Sequence, residues 1–140
     1  MSHPDKKLSF FNDATFGVAP RFDDLNSYAK RLNIEFNLNL NNTLSNLKDS
    51  GYIRVNGTNI VAILDVAKIG PNYLPGHGHA DALSFEISLF GSRFIVNSGI
   101  STYNVSNERQ MQRGTSMHST INIDNKDSSE LWSAFRVGRR

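Results

Sequence analysis

Leu83-Ser84-Phe85-Glu86-Ile87-Ser88-Leu89 alternates apolar and polar side chains over seven positions, the period of a half-buried strand. Tyr52 to Val55 and Ile60 to Val66 are rich in β-branched residues, and Asn56-Gly57 lies between them. That dipeptide supplies the positive φ angles of a type I′ turn, so a hairpin is predicted. Leu83 to Phe90, Gly91-Ser92 and Arg93 to Val96 repeat the device. Thr120 to Ile123, closed by Asp124-Asn125-Lys126-Asp127, reads as a third strand region, and Trp132 to Val137 as a fourth. The connections are short and helix-free, so the sheet is expected to be antiparallel.

A helical period occurs once. Leu25, Tyr28, Ala29 and Leu32 fall at i, i+3, i+4 and i+7 and predict an amphipathic helix over 22–32. One helix cannot bury its stripe alone, so it is expected to pack on the sheet or on a missing partner. Leu8 to Pro20 holds Phe10, Phe11 and Phe16 without a period. Asn33 to Asn46 is crowded with asparagine, which favours turns, and reads as a linker with Phe36, Leu38 and Leu40 in a short strand. A boundary near 46–50 divides the chain into 1–46, helical, and 47–140, β.

Composition narrows the function classes. At 140 residues, 39% hydrophobic and 20% charged, the chain suits one globular domain with a core. A net charge of +2, with scattered basic residues, excludes a nucleic-acid footprint. Absence of cysteine excludes disulfides and thiolate metal sites. No apolar run reaches the length of a membrane span. Met1 to Lys7 lacks the apolar stretch of a signal peptide, so none is expected in this chain. Phe135 to Arg140 reads as mid-strand without turn chemistry, and the chain is expected to be a fragment.

Chemistry concentrates in Gly76-His77-Gly78-His79-Ala80-Asp81, where a loop with two prolines, Gly70 to Pro75, feeds into the alternating strand. Polar groups placed there by a rigid scaffold are often functional. Zinc without cysteine takes imidazole and carboxylate ligands. His79 and His118 with one of Asp81, Glu86 or Asp124 would make a three-ligand site. His77 and His79 share a face in an extended segment, so both could reach one ion. His3, near the N-terminus, is expected to be solvated. Arg109, Arg113 and Lys68 are either solvated charges or a clamp on an acidic substrate, since guanidinium pairs bidentately with carboxylate or sulfate. Tyr73 and Tyr103 are either packing aromatics or platforms for a sugar ring.

Tyr73 to Glu86, containing Pro75-Gly76-His77-Gly78-His79-Ala80-Asp81, closely resembles the signature of the heparinase II/III-like polysaccharide lyases. Val96-Asn97-Ser98-Gly99, Arg113 to Thr120 and Ser129 to Arg140 resemble its later blocks in the same order. Phe10-Phe11-Asn12-Asp13-Ala14 and the helix after it resemble the end of that family's helical domain. The resemblance implies an antiparallel β-sandwich portion preceded by one or two helices left from an α/α toroid. It implies cleavage of uronic-acid-containing polysaccharide by β-elimination, in the cell envelope or periplasm.

By the family's pattern His77 faces the substrate, His79 binds zinc, and Asn97 and His118 complete the metal site. Asn97 stands where zinc-binding members carry aspartate, which implies weakened zinc binding. The toroid, which supplies most of the acid–base machinery, is almost wholly missing, so the isolated chain is expected to be inactive. Tyr73, Tyr103, Arg109 and Arg113 are the expected substrate contacts, and a separately encoded toroid is the expected protein partner. A non-catalytic carbohydrate-binding or degenerate β-domain is the alternative.

Overall fold

Among the described residues, five strands form one sheet in chain order: β1 (Leu44–Leu47), β2 (Tyr52–Asn56), β3 (Ile60–Asp65), β4 (Phe85–Leu89) and β5 (Ser92–Ile95). The computed structural model describes residues 1–35 and 43–140. All four pairings are antiparallel, as the short connections predict. β6 (Leu131–Trp132) and β7 (Arg136–Val137) form a separate small hairpin in the predicted fourth region. The strand expected around Phe36, Leu38 and Leu40 lies outside the described residues. Among the described residues the sheet begins at Leu44.

The two predicted hairpins differ in their turns. Phe90 and Gly91 carry φ of 49° and 83°, the pair of positive angles that a type I′ turn requires. The turn thus sits one residue earlier than Gly91-Ser92, with Leu89 opposite Ser92. In the first hairpin neither Asn56 nor Gly57 has positive φ, against the I′ expectation. Its tip is a three-residue loop in which the Gly57 N–H donates to the Ile60 carbonyl at 2.8 Å. The longer loop leaves the Asn59 carbonyl free to accept the Phe90 N–H at 2.8 Å, tying the two hairpins together.

The alternation is present, but the buried face of the sheet is the polar one. Directly paired residues share a face, so Tyr52, Asp65, Arg54, Ile63, Glu86, Ser88 and Arg93 lie on one side. There Ile63, Asp65, Glu86 and Ser88 are all buried. The other side carries Ile53, Leu64, Phe85, Val55, Ala62, Ile87, Ile95, Ile60 and Leu89, none of them fully buried. The N-terminal segment causes this by lying across the polar face. His3, expected in solvent, is 2% exposed; its Nε2 meets Glu86 Oε2 at 2.6 Å and its Nδ1 meets Ser88 Oγ at 2.7 Å. The Phe10 N–H donates to Glu86 Oε1 at 2.7 Å, and Arg93 donates to the Leu8 carbonyl at 2.8 Å. Among the described residues the fully buried apolar side chains are only Phe11, Ile63, Ala80 and Ala134. The interior is therefore held by hydrogen bonds and ion pairs more than by an apolar core.

Helix α1 (Phe22–Arg31) forms where the period predicts it. Asp23 and Asp24 in its first turn and Lys30 and Arg31 in its last complement the helix dipole. Asn33 at φ 54° ends it in the left-handed conformation that asparagine tolerates. The expected packing is not made: Leu25, Tyr28 and Leu32 are about half exposed, and α1 touches no other described helix or strand.

A second helix, α2 (Asn107–Arg113), was not legible in the sequence. Ser106 caps it, its Oγ accepting the Arg109 N–H at 3.1 Å. Its buried residues are Arg109 and Arg113, spaced i, i+4, so the inward stripe is cationic and gives no apolar period. A 3-10 turn (Thr115–Met117) follows. Thr120 to Ile123 is not a strand; Ile123 makes only an isolated bridge to Lys126. Its hydrogen-bonding groups serve loops instead, with Thr120 Oγ1 donating to the Ala82 carbonyl at 2.6 Å and Ser119 Oγ to that of Val96 at 3.1 Å.

Candidate functional site

The loop from Gly70 to Ser84 carries both histidines of the H-x-H pair from β3 to β4. Gly78 makes its close folding possible: its N–H donates to the Pro75 carbonyl at 2.8 Å, and a Cβ there would stand 2.7 Å from Ile69 Cγ1. The Gly78 carbonyl in turn accepts from Arg113 Nη2 at 2.9 Å. The Ala80 N–H donates to the Arg113 carbonyl at 2.9 Å, and Thr115 Oγ1 donates to the Ala80 carbonyl at 2.7 Å. These bonds fasten the histidine loop to α2 and the 3-10 turn, and bring His118 beside His79 with ring centroids 5.2 Å apart.

At the centre lies Asp13, which no pattern in the sequence singles out. Arg109 grips it with both terminal nitrogens, Nη1 to Oδ1 at 2.5 Å and Nη2 to Oδ2 at 2.8 Å. His79 Nε2 meets Oδ1 at 2.7 Å, and His77 Nδ1 meets Oδ2 at 2.7 Å. The Asp13 side chain is 6% exposed. Burial pushes its pKa up, but the bonds from His79, Arg109 and His77 outweigh that and hold the carboxyl well below the usual range. Asp13 is ionised at any ordinary pH.

The two histidines of the motif part ways. The His77 side chain is 70% exposed, with its ring edge-on to Phe135 at 5.5 Å and Tyr103 at 6.1 Å. His79 is fully buried, and its Nδ1 has no hydrogen-bond partner. Burial pushes the His79 pKa down, partly opposed by Asp13. His77 and His79 therefore address different surroundings instead of sharing one ion.

His79, Asp81 and His118 come together, with one potential ligand atom from each lying within 4.8 Å of the others, all three buried. Neither ring nitrogen of His118 has a hydrogen-bond partner. Burial, followed by the neighbouring His79, pushes the His118 pKa down to about 4. Burial and then the Asp65 carboxylate push Asp81 up to about 7. Two imidazoles with unused lone pairs beside a buried carboxylate are a chemically suitable donor set for a borderline divalent cation. These three side chains could hold a metal ion.

Asn97 is buried, and its Oδ1 accepts the Ser119 N–H at 3.0 Å while Nδ2 has no hydrogen-bond partner. Of the carboxylates open on sequence grounds, Glu86 is taken by His3, Arg93 and the Phe10 and Asn97 N–H groups. Asp124 is exposed in a tight turn.

Arg109 and Arg113 are correctly placed near the histidines but are not solvent-facing clamps, since both side chains are fully buried. Arg109 is held by Asp13 and by the Ala134 carbonyl at 3.1 Å. Arg113 donates to the carbonyls of Gly78, Ser133 and Arg136. They brace the site internally. Tyr103 stands at the rim, 40% exposed, its ring 5.7 Å from Phe135 and under the Arg109 guanidinium. Tyr73 is 87% exposed on the loop. Phe135, also unforeseen, completes the aromatic wall around His77. Asp13 was invisible because its partners lie 64 to 96 positions away.

Residues 39–140 match the family model described as heparinase II/III-like, C-terminal. No curated protein matches the chain. Among solved structures, the heparan sulfate lyase HepC from Pedobacter heparinus superposes with a TM-score of 0.67 at 21% identity, over 90% of this chain and 22% of its own. A heparinase III gene product gives a TM-score of 0.65 at 19% identity, over 94% of this chain and 24% of its own. The chain thus spans about a quarter of the length of these structures or less, and at such identity they establish the fold. With the family model covering most of the sequence, the chain belongs to the heparinase II/III-like C-terminal family.

Proposed function

We propose that this domain presents His77 to a uronic-acid-containing polysaccharide and forms part of a lyase that cleaves it by β-elimination. The observation that carries the reading is an exposed imidazole anchored through Nδ1 to a buried, ionised carboxylate, with Tyr103 and Phe135 beside it. An Asp–His pair of this kind fixes the orientation of the ring, as acid–base catalysis requires. In the reaction a base removes the C5 proton, the C4–O4 bond breaks, a C4–C5 double bond forms, and the departing O4 takes up a proton. Negative charge grows on the uronate carboxylate meanwhile, and His77, fixed through Nδ1 by Asp13, turns its Nε2 toward the sugar. Tyr103 and the exposed Tyr73 offer faces to the sugar rings. Arg109 and Arg113 act behind His77, so the acidic sugar is held by other groups.

His79, Asp81 and His118 would hold zinc, which when bound supplies positive charge and a fixed anchor for the histidine loop. Asp81 would replace the carboxylate missing at position 97. It must lose its proton to bind, so zinc affinity is expected to weaken below pH 7.

The remaining acid and base are expected on a helical toroid that works together with this domain in the cell envelope or periplasm. The test is ultraviolet absorbance of the unsaturated uronate product, using alginate, heparan sulfate and hyaluronan. We expect no turnover by the 140-residue chain alone, and turnover with the toroid that falls at least about 100-fold in His77→Ala. Turnover by the chain alone would place a complete site here. Turnover with the toroid that survives His77→Ala would remove His77 from the reaction.

A further inference from the structure

Asp13 has the geometry of a tautomer-setting residue. An ionised carboxylate accepts hydrogen bonds and donates none, and its two oxygens offer about four acceptor positions. Four contacts fill them: two from Arg109, one from His77 and one from His79. Arg109 can only donate. The ring nitrogens facing Asp13 must therefore carry the protons, because a lone pair set 2.7 Å from a carboxylate oxygen would repel it. The two rings meet Asp13 through opposite nitrogens.

We propose that Asp13 is a positioning residue that locks His77 and His79 into opposite tautomers. His77 is held as Nδ1–H, so its Nε2 lone pair points away from Asp13, on a ring open to solvent. His79 is held as Nε2–H, which leaves Nδ1, buried and without a partner, as its lone pair in the cluster with Asp81 and His118. One carboxylate thus prepares the reacting face and the metal-ligating face together, and the buried Arg109 keeps that carboxylate charged and in place. The histidines of a metal centre are commonly oriented by such outer carboxylates; here the same group also orients the exposed ring. The use of the exposed His77 nitrogen in catalysis rests on the lyase reading above. The tautomer assignment does not.

The experiment is long-range proton–nitrogen correlation of the imidazole rings in the 15N-labelled chain, recorded at alkaline pH without metal. The chain has only four histidines, assigned by single His→Gln variants. The expected spectrum shows His77 protonated at Nδ1, the tautomer that free imidazole side chains disfavour, and His79 protonated at Nε2. In Asp13→Asn, whose amide has one acceptor oxygen and one donor nitrogen, at least one ring should exchange its protonated nitrogen; Asp13→Glu should retain both. His77 protonated at Nε2 in the parent chain would overturn the proposal, as would an Asp13→Asn spectrum unchanged in both rings. If Asp13→Asn does not fold, the parent spectrum decides alone. Correct tautomers alongside lyase activity that survives His77→Ala would remove His77 from the reaction and leave the tautomer assignment standing.

Discussion

Replacing Asp81 with asparagine should stabilise the metal-free protein at alkaline pH and abolish its response to zinc. Asp81 is 4% exposed, and burial reinforced by Asp65 raises its pKa from an ordinary 3.8 to about 7. Because the folded value lies above the unfolded one, folding takes up a proton between them. The associated stability is whole below pH 3.8 and is lost as pH rises through about 7. At pH 8 the full displacement corresponds to about 4 kcal/mol against the folded state. An amide in place of the carboxylate would remove the charge yet keep an oxygen to accept the Asn12 N–H, now 3.2 Å from Asp81 Oδ2. We expect Asp81→Asn to be more stable than the parent by about 2–4 kcal/mol at pH 8 in chelator, shrinking toward zero by pH 4. His118 works in the other direction, since its lowered pKa gives stability present above 6.5 and lost as pH falls through about 4. The comparison of parent and variant is therefore read at pH 8, above the range in which His118 takes up its proton. Urea denaturation monitored by Trp132 fluorescence provides the measurement. With zinc at pH 8 the order should reverse, because the parent gains binding free energy and the variant lacks the carboxylate. A variant no more stable than the parent at pH 8 in chelator would refute the account of Asp81. Equal zinc stabilisation of both would remove it from the ligand set.

Arg113→Met should destabilise the protein by about 2–3 kcal/mol, since it strands the buried carbonyl of Gly78 and removes the donor to the partly buried carbonyls of Ser133 and Arg136; a loss under about 1 kcal/mol in urea would show that they find other partners. His3→Ala should lose about 2–3 kcal/mol by leaving Glu86 and Ser88 short of a buried partner, whereas a solvated histidine would give no change in the same measurement. Phe90→Asn should gain about 0.5–1 kcal/mol, because Phe90 holds φ 49° in the I′ turn while 79% exposed. A lowered Tm in that variant would mean that the aromatic ring is making contacts worth more than the relieved backbone.

What was legible in the chain was whatever depends on near neighbours. Alternation from Leu83 to Leu89 places a strand because successive side chains must point to opposite faces. The stripe of Leu25, Tyr28 and Leu32 places α1 because its residues lie within two turns. The small residues around His77 and His79 mark a loop, and the ordered blocks that follow them mark the family. The sequence alone also brought His118 to His79 and offered Asp81 among three carboxylates.

Tertiary structure decided which side of each element is inside, and which partners meet. Alternation cannot say which face is covered, and here residues 2–12 cover the polar one, burying Glu86 and Ser88 and drawing in His3. A helix whose inward residues are Arg109 and Arg113 has no apolar period, so α2 could be found only through what it grips. Picking Asp81 out of the three carboxylates required the fold that gathers it with His79 and His118. Asp13 depends on contacts across more than sixty residues of chain. A carboxylate becomes a node only when folding removes water from it and supplies donors on every side, and neither event leaves a local mark in the sequence.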